Sequence, residues 1–230
     1  MDRINLLRNI PVFARLNDEH HALLAANLGT QSFAQGEIVF HQGSLGNALY
    51  IIVNGQVRIF TLSEAGQELT VSIFRSGDFF GELALLDGLP RSASAQAMCA
   101  TTTLTLYRAA FLHIINACPP IAAAILEVMA ARLRQSTTYA EQLAGLSATE
   151  RIVQHLVRLA QRHGVTDGTT TLIDLRLTQD GLASISGTTR ETVNRVLSVL
   201  RDQGLVQLER ARIRVLDLPR LRATLDAIER

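Results

Sequence analysis

The sequence contains no lysine, so all 22 of its basic side chains are arginine. Cysteine is nearly absent too: Cys99 and Cys118 stand alone, with neither a CxxC pair nor an N-terminal cluster. That excludes a disulfide framework and an iron–sulfur sensor, and both thiols read as small apolar residues. Long apolar runs are missing. The longest, Ile121 to Ala131, is broken by Glu127, so no segment is suited to crossing a bilayer. The N-terminal stretch MDRINLLRNI lacks a continuous apolar core and a small-residue cleavage site, which predicts no secretory signal, no membrane partner and a cytoplasmic protein. There is no Ser/His/Asp spacing, Walker loop or metal-ligand cluster, so neither an enzyme nor a metal site is expected. His20 and His21 are adjacent, so on a helix they diverge, and both are expected at the surface.

What remains is globular in character. The 230 residues are 47% apolar and 19% charged, enough for two domains that each bury a core. A formal net charge of +1 hides an uneven split. Residues 1–146 carry 9 Arg and 11 acidic residues, a balance of −2; residues 147–230 carry 13 Arg and 10 acidic residues, a balance of +3. The C-terminal part is therefore the candidate for meeting phosphate.

After a short helical segment over the first 28 residues, glycines recur between Gly36 and Gly88 and separate short β-prone runs at 37–41, 49–53, 57–61 and 69–74. Short strands punctuated by turn residues predict an antiparallel roll of jelly-roll type. Asn54-Gly55 predicts a hairpin turn that needs a positive φ. From Ile121 the chain is rich in helix formers and free of Gly and Pro until Gly145, and Pro119-Pro120 suits a helix start. This element would be about 37 Å long. Leu126, Met129, Leu133, Ser136, Ala140 and Leu143 fall on it at alternating steps of three and four. Such a stripe either packs on its own domain or forms a two-chain seam, and the length of the helix favours the seam.

Beyond a boundary near Gly145–Ser147, a helix over 149–163 is expected, capped by Ser147 and ended by Gly164. A β-prone stretch (170–175), two short helices and alternating pieces at 205–208 and 213–216 follow. The predicted fold class is α+β: an N-terminal β-roll domain (1–120), a dimerisation helix with hinge (121–146) and a C-terminal winged helix-turn-helix (147–230).

Two stretches carry chemistry. In FFGELALLDGLPRSASAQA, Gly81 and Glu82 open a short apolar turn, and Arg91 and Ser92 follow in a run of small residues. A guanidinium with a neighbouring hydroxyl suits a phosphodiester, a carboxylate accepts from a sugar hydroxyl, and a helical turn starting at Glu82 offers backbone N–H groups. A plain Glu82–Arg91 salt bridge would also account for these residues. The order of residues resembles the phosphate-binding cassette of cyclic-nucleotide-binding domains, F-G-E-L-A-L followed by P-R-S/A/T-A. The resemblance implies cAMP, or cGMP, as an allosteric ligand, with Glu82 on the ribose 2′-hydroxyl and Arg91, Ser92 and backbone amides on the cyclic phosphate. It adds Gly81, Leu83, Ile59, Val71 and Arg132 to the candidate lining.

The second stretch, LTQDGLASISGTTRETVNRVLSVLRDQGL, reads as helix, Gly187 turn, helix. Val193, Val196, Leu197 and Leu200 form the stripe that must be buried, which leaves Arg190, Glu191, Asn194 and Arg195 on the other face. These side chains suit base edges in a major groove, with Thr189 and Thr192 as candidate phosphate contacts and Thr178, at the start of the partner helix, as a further DNA-binding candidate. Glu191 has a competing role, because Thr188-x-x-Glu191 has the form of a capping box. R-E-T-V-N-R after a Gly-containing turn is similar to the recognition helix of the CRP/FNR superfamily of bacterial transcription regulators. Membership would imply a homodimer through residues 121–146 on double-stranded DNA, reading a palindrome of TGTGA-like half-sites with Arg190, Glu191 and Arg195. It would also imply RNA polymerase as a partner. The same resemblance places Ser136 and Thr137 where hydroxyls of the long helix meet the purine, one from each subunit, so that ligand would bias the DNA-binding domains. A regulator sensing another effector, or the regulatory subunit of an enzyme, are the alternatives.

Overall fold

The computed structural model describes residues 3–62, 68–175, 177–209 and 212–228. The chain divides into two units, residues 1–136 and 137–230.

In the first unit two short helices, α1 (Arg3–Arg8) and α2 (Asp18–Ala26), precede eight strands. The strands are β1 (Leu28–Phe33), β2 (Ile38–Phe40), β3 (Ala48–Asn54), β4 (Gln56–Leu62), β5 (Glu68–Arg75), β6 (Phe79–Phe80), β7 (Ser94–Ala97) and β8 (Thr101–Tyr107). A short helix, α3 (Leu83–Asp87), interrupts them after β6, and α4 (Arg108–Ala117) follows β8. Two antiparallel four-stranded sheets result, in the orders β1-β8-β3-β6 and β2-β7-β4-β5. The expected runs at 37–41, 49–53, 57–61 and 69–74 are β2, β3, β4 and β5. Asn54-Gly55 corrects one expectation. Gly55 has a φ of +108°, as anticipated, but β3 and β4 belong to different sheets, so the pair is a corner between sheets and no hairpin. A side chain there would also press on the Thr101 backbone, whose Cα would lie 2.7 Å from an added Cβ.

Leu7, Leu24, Ile51, Leu104, Phe111 and Ile114 are the centre of a core shared by sheet and helices. His21 belongs inside it, against the surface expectation: it is 1% exposed, and its Nε2 pairs with the Phe13 carbonyl at 3.0 Å. The turn between α1 and α2 folds over it, which sequence adjacency to His20 could not reveal.

The long helix α5 runs from Pro119 to Gly145, two residues earlier at its start than the apolar pattern suggests, because proline is tolerated in a first turn. Ile121 and Ile125 are buried in the roll's core, and Met129 packs partly against it. Met129 thus serves its own domain. Leu126 (65%) and Leu133 (70%) are exposed, as are Ser136 and Ala140; the Leu143 side chain lies outside the described residues. Among the described residues no single helix is long and apolar enough to cross a membrane.

The second unit continues with α6 (Ala148–His163), the hairpin β9 (Gly164–Asp167) and β10 (Thr170–Ile173), then α7 (Gln179–Ser186) and α8 (Arg190–Asp202). The strands β11 (Val206–Glu209) and β12 (Arg212–Val215) and helix α9 (Leu218–Ile228) complete it. Strand order is β11-β12-β10-β9, a wing beside the helix pair. Ser147 caps α6 as expected, in a reciprocal box with Glu150. Gly164 ends α6 in an extended conformation (φ −81°, ψ 137°), not the left-handed one. Glycine is required there by closeness instead, since a Cβ would collide with the Ala160 carbonyl and the Thr171 side chain.

Candidate functional site

Arg91 is seated from both its backbone and its side chain. The loop between β2 and β3 clasps its main chain: Gly43 N–H donates to Arg91 O, and Arg91 N–H to Ser44 O, each at 2.8 Å. The side chain turns inward and is 5% exposed. Its Nη1 donates to Gly81 O at 2.5 Å and its Nη2 to Ala48 O at 2.6 Å, while the guanidinium carbon sits 4.1 Å over the Phe40 ring. Two glycines make the seat possible. An added Cβ would lie 2.9 Å from the Arg91 guanidinium carbon at Gly46 and 2.8 Å from Nη1 at Gly81, and Gly81 also has a φ of +86°. Burial pulls the Arg91 pKa below its ordinary value, opposed by the Tyr50 hydroxyl and Glu82. The Glu82–Arg91 ion pair that the sequence allowed is not formed, because the arginine is held by carbonyls.

Glu82, 4% exposed, pairs elsewhere. Its Oε1 accepts from Arg132 Nη1 of α5 at 3.0 Å. Arg132 also donates through Nη2 to Phe79 O and lies over the rings of Phe74 (4.3 Å) and Phe79 (4.7 Å). Two polar atoms of this cluster stay buried with no partner among the described residues: Glu82 Oε2 and Arg91 Nε. Leaving such a group unmade costs about 1–3 kcal/mol each, more when charged. One is a carboxylate acceptor and the other a guanidinium donor, and the cluster holds two positive groups against one negative. These residues therefore fit a singly charged anion that also carries a hydroxyl. Where α3 opens, the amides of Leu85 and Leu86 already donate to Glu82 O. The amides before them belong to the positions that have no acceptor within a helix.

The remaining candidates are spread more widely. Ser92 is exposed beside Arg91, and Leu83 is exposed on α3. Ile59 is half-buried on β4, opposite Ser72 and Ala95. Val71 is exposed on β5 and is the extra residue of a β-bulge, since Ile59 pairs with Ser72 while Phe60 pairs with Thr70. Ser136 and Thr137 are exposed on α5. The structure thus gathers Gly81, Glu82, Arg91 and Arg132 into one bonded cluster. Sequence reasoning missed Phe40, Gly46, Ala48, Phe74 and Phe79, which hold the two arginines. Only Gly46, in a glycine-spaced loop, and Phe79, at the head of the motif, left any signal.

In the second unit Thr178 caps α7, accepting from Gly181 N–H at 3.0 Å, and Gly187 ends it in the left-handed conformation (φ 58°). The buried stripe of α8 is as expected: Val193, Val196, Leu197 and Leu200 are all at most 5% exposed. Burying each contributes roughly 1.5–3 kcal/mol, which fixes the face that α8 turns outward. Arg190, Glu191 and Arg195 are exposed on that face; Asn194 is half-buried with its Oδ1 unpaired among the described residues. Arg190 lies 3.6 Å from Asp180, with both side chains more than half exposed, a pair easily traded for another partner. The cap of α8 is a correction. Thr189, not Thr188, is the N-cap, accepting from Thr192 N–H at 3.3 Å, and the Thr188–Glu191 box does not form. Thr189 and Thr192 also share a hydroxyl hydrogen bond at 3.2 Å. The Glu191 carboxyl lies below the usual carboxylate range, through bonds from its own backbone N–H and the Thr189 hydroxyl.

Residues 30–118 match the family model of the cyclic nucleotide-binding domain, and residues 150–224 match that of the Crp-like helix-turn-helix domain. A roll holding a buried arginine–carboxylate cluster, with a winged helix-turn-helix after it, defines a DNA-binding transcription regulator of the cyclic-nucleotide-binding type, not an enzyme. The cyclic AMP receptor protein of Thermus thermophilus is 35% identical over 202 residues, covering 88% of this chain and 90% of the relative. A CRP-like cAMP-activated global transcriptional regulator of Mycobacterium tuberculosis is 32% identical over 221 residues, covering 96% and 98%. Among solved structures, the c-di-GMP responsive global regulator CLP of Xanthomonas campestris superposes with a TM-score of 0.78 at 25% identity, over 87% of this chain and 99% of that one. The chain belongs to the CRP/FNR superfamily.

Proposed function

We propose that this chain is a homodimeric transcription regulator switched by a cyclic mononucleotide, cAMP in the first place and cGMP as the alternative. The observation that carries the reading is the pair of buried, unpaired atoms, Glu82 Oε2 and Arg91 Nε, in one positively balanced cluster. Glu82 accepts the ribose 2′-hydroxyl; Arg91, Ser92 and the amides opening α3 bind the cyclic phosphate; Gly81, Leu83, Ile59, Val71 and Arg132 line the site. Ser136 and Thr137 contact the purine at the dimer seam, which α5 forms with its exposed Leu126 and Leu133. Arg190, Glu191 and Arg195 read TGTGA-like half-sites of a palindrome, Asn194 sits beside them, and Thr178, Thr189 and Thr192 hold phosphates. Residues 1–120, 121–146 and 147–230 are then sensor, dimerisation helix and DNA reader of a cytoplasmic protein that also meets RNA polymerase.

Isothermal titration with cAMP, cGMP and c-di-GMP tests the sensor. One cyclic mononucleotide is expected to bind, and Arg91→Gln is expected to weaken it at least about tenfold, since a hydrogen bond to a charged group is worth roughly 1.5–3 kcal/mol. Heat with c-di-GMP alone, or with none of the three, overturns the ligand assignment. A shift assay with a duplex carrying an inverted repeat of TGTGA tests the reader separately.

A further inference from the structure

The turn between α7 and α8 has three successive carbonyls held by side chains from other elements. Tyr139 of α5 donates its hydroxyl to Ile185 O at 3.0 Å. Arg151 of α6 donates through Nε to Ser186 O at 2.8 Å and through Nη2 to Gly187 O at 3.1 Å. The same guanidinium reaches Leu146 O, just beyond α5, through Nη1 at 2.7 Å. The last carbonyls of a helix have no N–H donor of their own within it. Here one hydroxyl and one guanidinium supply what α7 lacks and tie its end to the end of α5.

Tyr139 is held in place for this task. Its ring meets the His155 ring edge-on at 5.8 Å and 66°. His155 is 2% exposed and paired through Nδ1 with Arg158 Nη2 at 2.7 Å. The tyrosine is therefore positioned by a packed ring and a buried polar pair, and its hydroxyl has one direction to point. Two residues after Gly187, Thr189 caps α8, so whatever fixes the turn fixes where α8 begins.

We infer that Tyr139 is a positioning residue for DNA recognition: its hydroxyl on Ile185 O, with Arg151 on the next two carbonyls, locks the turn that launches α8 to the C-terminal end of α5. The inference rests on the reading of α8 as the base-reading helix. Tyr139 lies three residues beyond Ser136, about one helical turn along α5. A ligand acting on α5 at Ser136 thus has a hydrogen-bonded route to the DNA reader within a single turn of helix.

The test is Tyr139→Phe in the full chain, which keeps the ring and removes only the hydroxyl, with exposed Thr138→Ala as control. The first readout is amide exchange of Gly187 and Thr188, whose N–H groups both donate to Ala183 O. Exchange at these two amides is expected to speed up about three- to tenfold, the equivalent of one hydrogen bond of about 1 kcal/mol. The second is affinity for the TGTGA inverted-repeat duplex, with and without cAMP or cGMP, well below the melting temperature. The nucleotide-loaded variant is expected to bind the duplex about three- to tenfold more weakly, and to keep less of the gain that nucleotide gives the unsubstituted chain. Its nucleotide affinity should stay within about twofold, and Thr138→Ala should match the unsubstituted chain. A lowered melting temperature with unchanged duplex affinity, or unchanged exchange at Gly187 and Thr188, overturns the inference. If the unsubstituted chain binds neither nucleotide nor duplex, the proposed function fails on its own, and the exchange measurement still decides whether Tyr139 holds the turn.

Discussion

Arg132 takes one oxygen of the Glu82 carboxylate at 3.0 Å and leaves the other buried without a partner among the described residues. The pairing does two things at once. It orients the carboxylate, and it reserves Oε2 as an acceptor for a hydroxyl brought by the ligand.

Glu82→Ala should therefore weaken nucleotide binding and erase discrimination at the sugar. The unsubstituted chain is expected to favour cAMP over 2′-deoxy-cAMP about tenfold, the value of one hydrogen bond to a charged group. The variant should bind both alike. Titration calorimetry with the two nucleotides checks this, and an unchanged preference would remove Glu82 from the sugar contact.

The outward face of α5 predicts self-association. Ile121 and Ile125 are at most 6% exposed, whereas Leu126 and Leu133, one heptad apart, are 65% and 70% exposed. Burying a leucine contributes about 1.5–3 kcal/mol, so Leu133→Glu should raise the dimer dissociation constant at least about tenfold. Sedimentation velocity across a concentration series measures it.

A buried imidazole gives the second unit an acid limit. Burial, with Arg158 and Arg151 nearby, holds His155 down at about 3 from an ordinary 6.5. Its folded form is neutral, so the unfolded chain binds the extra proton first. Full stability is present above about pH 6.5, falls as pH drops toward 3, and is about 2 kcal/mol lower at pH 5 from this group. In urea unfolding at pH 7 and pH 5, His155→Gln should lose about that much less between the two values than the unsubstituted chain. Equal losses would show that the imidazole is charged in the fold.

Legibility followed the range of the forces involved. The buried stripe of α8 and the Ser147 cap of α6 are local patterns, and both stand where the sequence puts them. Strands whose two faces meet different surroundings were also visible, as in 57–61. β8 went unread although Thr103, Leu104, Thr105 and Leu106 alternate in type; all four are buried, between β1 and β3 in the middle of a sheet, which that alternation by itself does not announce. The shift of the α8 cap from Thr188 to Thr189 came from where the left-handed turn at Gly187 ends, a matter of one residue that two equivalent threonines cannot settle.

By itself, then, the sequence determined which chemistry is carried: a guanidinium and a carboxylate in one motif, and a basic, polar face opposite an apolar stripe. Such features depend on residue type and spacing along the chain. Only the tertiary structure decided who holds whom. Arg91 turned to the carbonyls of Gly81 and Ala48 instead of to Glu82, Arg132 arrived from fifty residues away to take that carboxylate, and Tyr139 came to the end of α7. The reason is physical: a buried charge or carbonyl must find a partner wherever the packing of distant segments brings one, and that distance is not written in any local pattern.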